Sequence, residues 1–312
     1  RRIAQHAVKS VRSTNGTQPW IPPLFQIDKW WEAPLLEKIG KARAVIEEHS
    51  KDASQKAIDL LKVAFCRTMI ETANVSFGHQ SMSFKKADQQ MTLAVPEDIA
   101  ETVVANWEES VSSILSAAET SIASQPRFVH CDARSLAKEF AGESFDCVIT
   151  SPPYPNRMSY IRELRPYMYW LGYLDDARQA GEMDWEAIGG TWGCATSNLM
   201  KWKSPADMVV PFGAFQTILK SIAEESSLLS RYVEKYFCDM VFHVRDLFDV
   251  VKPGGEIHYV VGNSKFYDVM LPVEEIFAAL FRSVGFDDVK IEPIRKRTSK
   301  KELFEYLVSA KK

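Results

Sequence analysis

Apolar residues recur at helical spacing in four stretches of the chain. Ile58, Leu61, Phe65 and Met69 mark one face between Ala53 and Ala73. A longer face carries Ile99, Val103, Trp107, Val111, Leu115 and Ile122. It opens at Pro96 with Glu97 and Asp98 behind, residues that suit the orphaned amides and positive dipole end of a first helical turn. Tyr232, Tyr236, Met240, Val244 and Leu247 predict a helix over Arg231–Val251, stopped by Pro253-Gly254-Gly255, and Pro272 to Val284 reads as another, closed by Gly285. Short apolar runs predict buried parallel strands at Arg127–Ala133 and Phe145–Thr150, with a helix-like segment, Arg134–Phe140, between them. Glu256–Val261 reads as a further strand, and Val289–Ile294 and Leu303–Ala310 alternate like an antiparallel pair. From Cys131 onward the order is strand, helix, strand, long insertion, helix, strand, helix, strand, strand. That order predicts an α/β sheet with helices on both faces.

With 46% hydrophobic and 25% charged residues, the 312-residue chain has the material for one large globular domain or two smaller ones, and disorder is excluded. Lys and Arg number 38 against 41 Asp and Glu, a formal charge of -3, so any binding of a polyanion must be local. No apolar run approaches the length of a membrane helix. Five scattered cysteines without a CxxC pair argue against a disulfide framework and a zinc site and fit a reducing cytoplasm; Cys131 and Cys147 are expected in the sheet core. The first 45 residues mix basic positions (Arg1, Arg2, Lys9, Arg12) with Trp20, Pro22, Pro23, Trp30, Trp31 and Pro34 and suit an arm laid across another surface. Residues 1–125 are therefore expected to be an arm and helical segment packed on a core at 126–312, which is interrupted by an insertion at 161–230. The opening Arg1-Arg2-Ile3-Ala4, without an initiator Met, raises the expectation of an upstream segment.

The informative stretch is Asp146 to Tyr160, in which an apolar strand runs into Ser151-Pro152-Pro153-Tyr154. In open α/β sheets, ligands bind beyond the carboxyl ends of the strands. The paired prolines withdraw two amide donors and leave the carbonyls of Ser151 and Pro152 able to accept. The Ser151 hydroxyl can accept as well, and Tyr154 offers a flat ring. Acceptors beside an aromatic platform suit the exocyclic amine of a flipped-out base; a rigid proline-stiffened loop is the plainer alternative.

These residues resemble the exocyclic-amine DNA methyltransferases, which carry Asp, Asn or Ser, then Pro-Pro, then Tyr or Phe, after the fourth strand of their sheet. The Ser form resembles the version associated with cytosine N4, ahead of adenine N6. HCDARSL (130–136) is similar to the family's preceding strand end and VKPGGEIHYVVGNSK (251–265) to its helix, turn and fifth strand. The resemblance covers roughly Phe128 to Lys312, with Trp20–Ser83 a weaker match. It implies a Rossmann-like class I sheet and S-adenosylmethionine as cofactor, with Asp132 contacting the adenine and Thr150 and Ser151 beside it. It implies Ser151, Pro152, Pro153 and Tyr154 as the catalytic turn and direct methyl transfer without a cysteine nucleophile. Asp132 can equally serve as a helix N-cap.

The family's FxGxG cofactor loop is absent from the sequence. Gly189-Gly190-Thr191-Trp192-Gly193 is the nearest cluster and lacks a preceding strand. The sheet should therefore lack its first two strands, which lie between the third and fourth. An upstream segment or a second polypeptide carrying that loop is expected to fill the slot, unless catalysis has been lost. Asn156, Arg157 and Tyr160 continue from the catalytic turn as candidate nucleic-acid contacts, and Arg295 and Arg297 open the one dense basic run, which a solvated hairpin tip would also explain. The insertion, with Trp170, Trp185, Trp192 and Trp202, is either a target-recognition element or a helical subdomain with its own core. Neither His79 nor His130 has partners at metal-ligand spacing, so no metal is expected. The expected function is methylation of a DNA base in a restriction-modification or defence setting. An RNA or tRNA base methyltransferase and a non-catalytic nucleic-acid-binding subunit are the alternatives.

Overall fold

The computed structural model describes residues 1–13, 16–76, 83–85, 96–120, 124, 126–142, 144–156, 159–206, 208–297 and 302–312, with backbone alone at 96–98. The chain divides into two compact units, one of Arg1–Pro126 with Ile161–Ala180 and one of Arg127–Tyr160 with Gly181–Lys312. Among the described residues no helix is long and apolar enough to cross a membrane.

The first unit is built on helices α1 (Arg2–Arg12), α2 (Ala33–Glu48), α3 (Gln55–Glu71) and α4 (Pro96–Ala118), with a two-residue pairing of β1 (Val75–Ser76) and β2 (Ser83–Phe84). Ser54 caps α3 by accepting from the Ala57 amide, and Pro34 sits in the first turn of α2. Residues 1–45 belong to this unit. Trp30 and Trp31 are core residues, while Trp20 is exposed: Trp31 is fully buried and donates to the Met69 carbonyl at 2.9 Å, and its ring meets that of Trp170 edge-on. An indole buries a large apolar area once its N–H is satisfied, which is why this composition builds a core as readily as an arm. Trp170 closes the helix α6 (Tyr160–Trp170), so the start of the insertion, Ile161–Ala180, groups with this unit.

The second unit holds the sheet. Its strands β3 (Phe145–Thr150), β4 (Val251–Gly262), β7 (Asp287–Lys296) and β8 (Phe304–Lys311) lie in the order β3-β4-β8-β7. Strand β3 runs parallel to β4, and the other pairs are antiparallel. Helix α10 (Ser227–Val250), capped by Ser226, passes directly into β4, whose first residues include Pro253-Gly254-Gly255; the strand thus begins five residues before its predicted start. Helix α11 (Val273–Val284) ends at Gly285 with φ 108°, as its glycine predicts.

Among the described residues of this unit, α9, α10 and α11 pack on one face of the sheet. Ile257, Tyr259 and Val261 of β4 and Val308 and Ala310 of β8 point into a core with Phe237 and Met240 of α10, Phe277 and Phe281 of α11, and Phe215 and Leu219 of α9 (Phe215–Glu225). The alternate positions point away. On that side Ile149 of β3 is 78% exposed and Ile294 of β7 is 51% exposed. The apolar run of β3 suggested burial on both faces, but only Val148 of its centre packs on the core. Cys147 is accordingly exposed and Cys131 half-buried, and neither fills the sheet core. The predicted strand Arg127–Ala133 is irregular, with Phe128 91% exposed, and among the described residues no strand lies alongside to form a ladder with it.

Candidate active site at the tip of the parallel strand

Strand β3 pairs with β4 through Thr150 opposite Tyr259 and then releases Ser151-Pro152-Pro153-Tyr154. Ser151 is exposed, Pro152 is buried and Tyr154 is half-buried. The Tyr154 hydroxyl lies 3.4 Å from Ser151 Oγ, and burial raises its pKa, so the phenol stays neutral. The turn is fixed from behind: Tyr236 of α10, itself buried and held neutral by that burial, donates to the Pro153 carbonyl at 2.6 Å. Among the described residues nothing donates to the carbonyls of Ser151 and Pro152. Asn156 closes a tight turn through its amide on the Tyr154 carbonyl at 2.8 Å.

The Tyr154 ring lies against the end of β4. A Cβ at Gly262 would come within 3.1 Å of it, so a side chain at Gly262 would displace the ring. The Arg297 guanidinium stands 6.0 Å from the ring centre and donates to the Asn263 carbonyl at 3.4 Å. Asn263, buried, accepts from the Phe304 amide at 2.9 Å and donates to the Glu302 carbonyl at 3.1 Å, tying both ends of the basic turn to β4. The structure therefore brings Ser151, Tyr154 and Arg297 together. Arg295 is exposed and paired with Glu305 across the β7–β8 ladder, and Tyr160 is exposed at the start of α6. Arg157 and residues 298–301 of the basic run lie outside the described residues.

Asp132 is held by Arg134, which in turn reaches α10. Its carboxylate accepts from the backbone amide of Arg134 at 2.8 Å and from the guanidinium at 2.9 Å, and that guanidinium holds it below the usual carboxylate range. The same Arg134 reaches Asp239 at 3.2 Å and the Glu186 carbonyl at 2.9 Å. One residue on, the Ala133 carbonyl accepts from His243 Nδ1 at 2.8 Å, leaving Nε2 to accept from the Tyr259 hydroxyl at 2.7 Å. Burial lowers the His243 pKa, which favours this neutral tautomer. Tyr259 is the residue opposite Thr150, so one hydrogen-bonded chain connects the segment carrying Asp132 to the strand that ends in the proline turn.

Sequence comparison matches the chain to curated proteins: M.AvaI of Nostoc sp., 26% identical over 169 residues, M.BsoBI of Geobacillus stearothermophilus, 25% over 178, and M.MvaI of Kocuria varians, 23% over 154. All three are Type II methyltransferases. Over about half its length the chain is similar to this group. The matches cover 47 to 50% of the chain and 32 to 34% of the relatives, so the chain spans about a third of the methyltransferases that it matches. No family model and no solved structure matches.

Several residues that build this corner carry no motif. Tyr236 and His243 read only as members of an amphipathic helix, and Asn263 as a strand-end polar residue. The glycine cluster, set aside as a cofactor loop because no strand precedes it, packs against the corner. Gly189, at φ 81°, lies against Tyr232, Tyr236 and Pro153, and Gly190 touches the Asp184 carbonyl so closely that no side chain fits. Buried Asp184 accepts in turn from the Ser159 hydroxyl and, at 2.6 Å, from the Trp192 amide.

Proposed function

We propose that this chain forms the base-gripping part of an S-adenosylmethionine-dependent DNA methyltransferase that modifies an exocyclic amine, cytosine N4 ahead of adenine N6, in a restriction-modification setting. The observation that carries this reading is the acceptor-rich turn Ser151-Pro152 at the carboxyl end of a sheet strand, with a half-buried phenol fixed beside it. Ser151 Oγ and the Pro152 carbonyl accept from the target N–H groups, which draws the amine toward a pyramidal geometry and frees its lone pair. Tyr154 stacks on the base, a contact worth about 1–3 kcal/mol. Arg297 adds a cation beside the ring, and Asn156, Tyr160 and Arg295 extend the nucleic-acid surface from it, with Arg157 a further candidate contact by its place in the sequence.

Residues present fit part of the cofactor. The Asp132 side chain is 48% exposed and ionised, able to accept from an adenine amine, with Thr150 and Ser151 at the strand tip. When bound, the cofactor supplies an electrophilic methyl group. Its glycine-rich loop is assigned to a polypeptide segment that pairs with the open edge of β3, whether upstream in the same chain or on a second polypeptide. A parallel edge strand with an exposed Ile149 supports that assignment.

Incubating the chain, alone and joined to any segment encoded upstream of it, with methyl-labelled cofactor and mixed-sequence duplex DNA tests the reading. We expect label in N4-methylcytosine, with Ser151→Ala and Tyr154→Ala each lowering the rate at least a hundredfold. Label on RNA alone, or none with the joined protein, overturns it.

A further inference from the structure

Outside the proline turn, the first unit brings together three side chains that sequence spacing keeps apart. His6 lies in the middle of α1, Glu48 ends α2 and His49 caps it. His6 Nδ1 is 3.0 Å from His49 Nε2, and the donor atoms of all three residues lie within 4.8 Å of one another. The imidazole planes are inclined at 64°, with centroids 5.2 Å apart, so the rings converge edge-on through their nitrogens and do not stack. Both rings are half-buried, and the carboxylate is exposed.

Two imidazoles 43 positions apart in sequence can share one hydrogen bond, one nitrogen donating and the other accepting. The same two nitrogens can also give their lone pairs to one ion. In a tetrahedral zinc site with Zn–N near 2.0–2.1 Å, the two nitrogens lie roughly 3.3 Å apart, so opening the observed pair by a few tenths of an ångström makes room. Two nitrogens and one carboxylate suit zinc, cobalt, nickel or copper and not magnesium or calcium, which prefer all-oxygen shells. The carboxylate leaves the site one negative charge to offset the cation, and the carbonyl end of α2 adds a favourable dipole.

We propose that His6, Glu48 and His49 form a site for a zinc-class divalent ion, with the fourth position open to water, that staples α1 to the end of α2. The ion adds a bond between two helices already joined by the imidazole pair and by the Lys41 ammonium on the Ser13 carbonyl at 3.0 Å. Its role is structural, and it is independent of the methyl-transfer chemistry.

Calorimetric titration of the EDTA-treated chain with zinc chloride tests it. We expect one ion per chain with micromolar or tighter affinity, a rise of several degrees in melting temperature, and no response to magnesium. His6→Asn and His49→Asn should each weaken binding at least tenfold with unchanged far-ultraviolet circular dichroism, while His130→Asn, at an exposed histidine, binds as wild type. Cobalt(II) should give the visible absorption of a four-coordinate ion, lost when both histidines are replaced. Zinc binding that survives both replacements, or no binding by the wild-type chain, overturns the proposal.

Discussion

The sheet of the second unit has two edges of opposite character. At one, β7 carries Lys290, Glu292, Pro293, Arg295 and Lys296, and its register with β8 shifts twice, between Asp287 and Lys290 and between Pro293 and Arg295. Charge, a proline and irregular pairing are the means by which sheets keep a free edge from recruiting another strand. At the other edge β3 reads Phe-Asp-Cys-Val-Ile-Thr, with no proline and no lysine, and its outer side has no neighbour among the described residues. One edge is built to stay open; the other has the composition of an interior strand. Ile149 and Ile294 stand on the same uncovered face, one at each edge, and provide a matched pair of probes.

The largest expected effect breaks the face that both edges share. Phe277 is fully buried between Phe237, Tyr259 and Phe281. Phe277→Ala should cost about 3–5 kcal/mol in urea unfolding, against less than about 0.5 kcal/mol for Ile294→Ala on the open face. Equal losses would mean that the open face is packed in solution.

A second effect is pH-dependent and belongs to the packed face alone. Glu274, in the first turn of α11, is buried, and burial pushes its pKa from 4.5 to about 7. The folded state therefore holds this proton more tightly than the unfolded chain does. The contribution is fully present below pH 4.5 and is lost as pH rises through 7, roughly 2 kcal/mol after allowance for solvent screening. Comparing unfolding at pH 5 and pH 8 should show that loss in the wild type and its absence in Glu274→Gln.

The smallest effect on stability is the most telling for the edges. Ile149→Lys and Ile294→Lys should each shift stability by less than about 0.5 kcal/mol, since both side chains already face water. Only Ile149→Lys should suppress self-association of the isolated chain by light scattering and its pairing with a strand-bearing segment. Identical behaviour of the two variants would remove the distinction between the edges.

Much of the second unit was readable from residue order. Helical spacing located α10 and α11, Gly285 marked the end of α11, and alternation exposed the β7–β8 pair. The Ser151–Tyr154 turn was legible because two prolines after an apolar strand permit few conformations. What misled was the run 127–133, whose apolar residues have strand propensity but no ladder partner. Cys147 is exposed for a different reason: it pairs with Glu256 of β4 and points to the side away from the core, where its apolar setting had suggested a buried position.

Local pattern is enough to fix periodicity, because the polypeptide geometry that spaces Ile257, Tyr259 and Val261 on one side of β4 is encoded residue by residue. Which side is then covered, that Tyr236 braces the proline turn, that His243 joins Ala133 to Tyr259, and that His6 meets His49 are decided only when distant segments pack. Each depends on a contact between residues dozens of positions apart, and the cost of closing such loops is met by the fold as a whole, through burial that no single stretch of sequence contains.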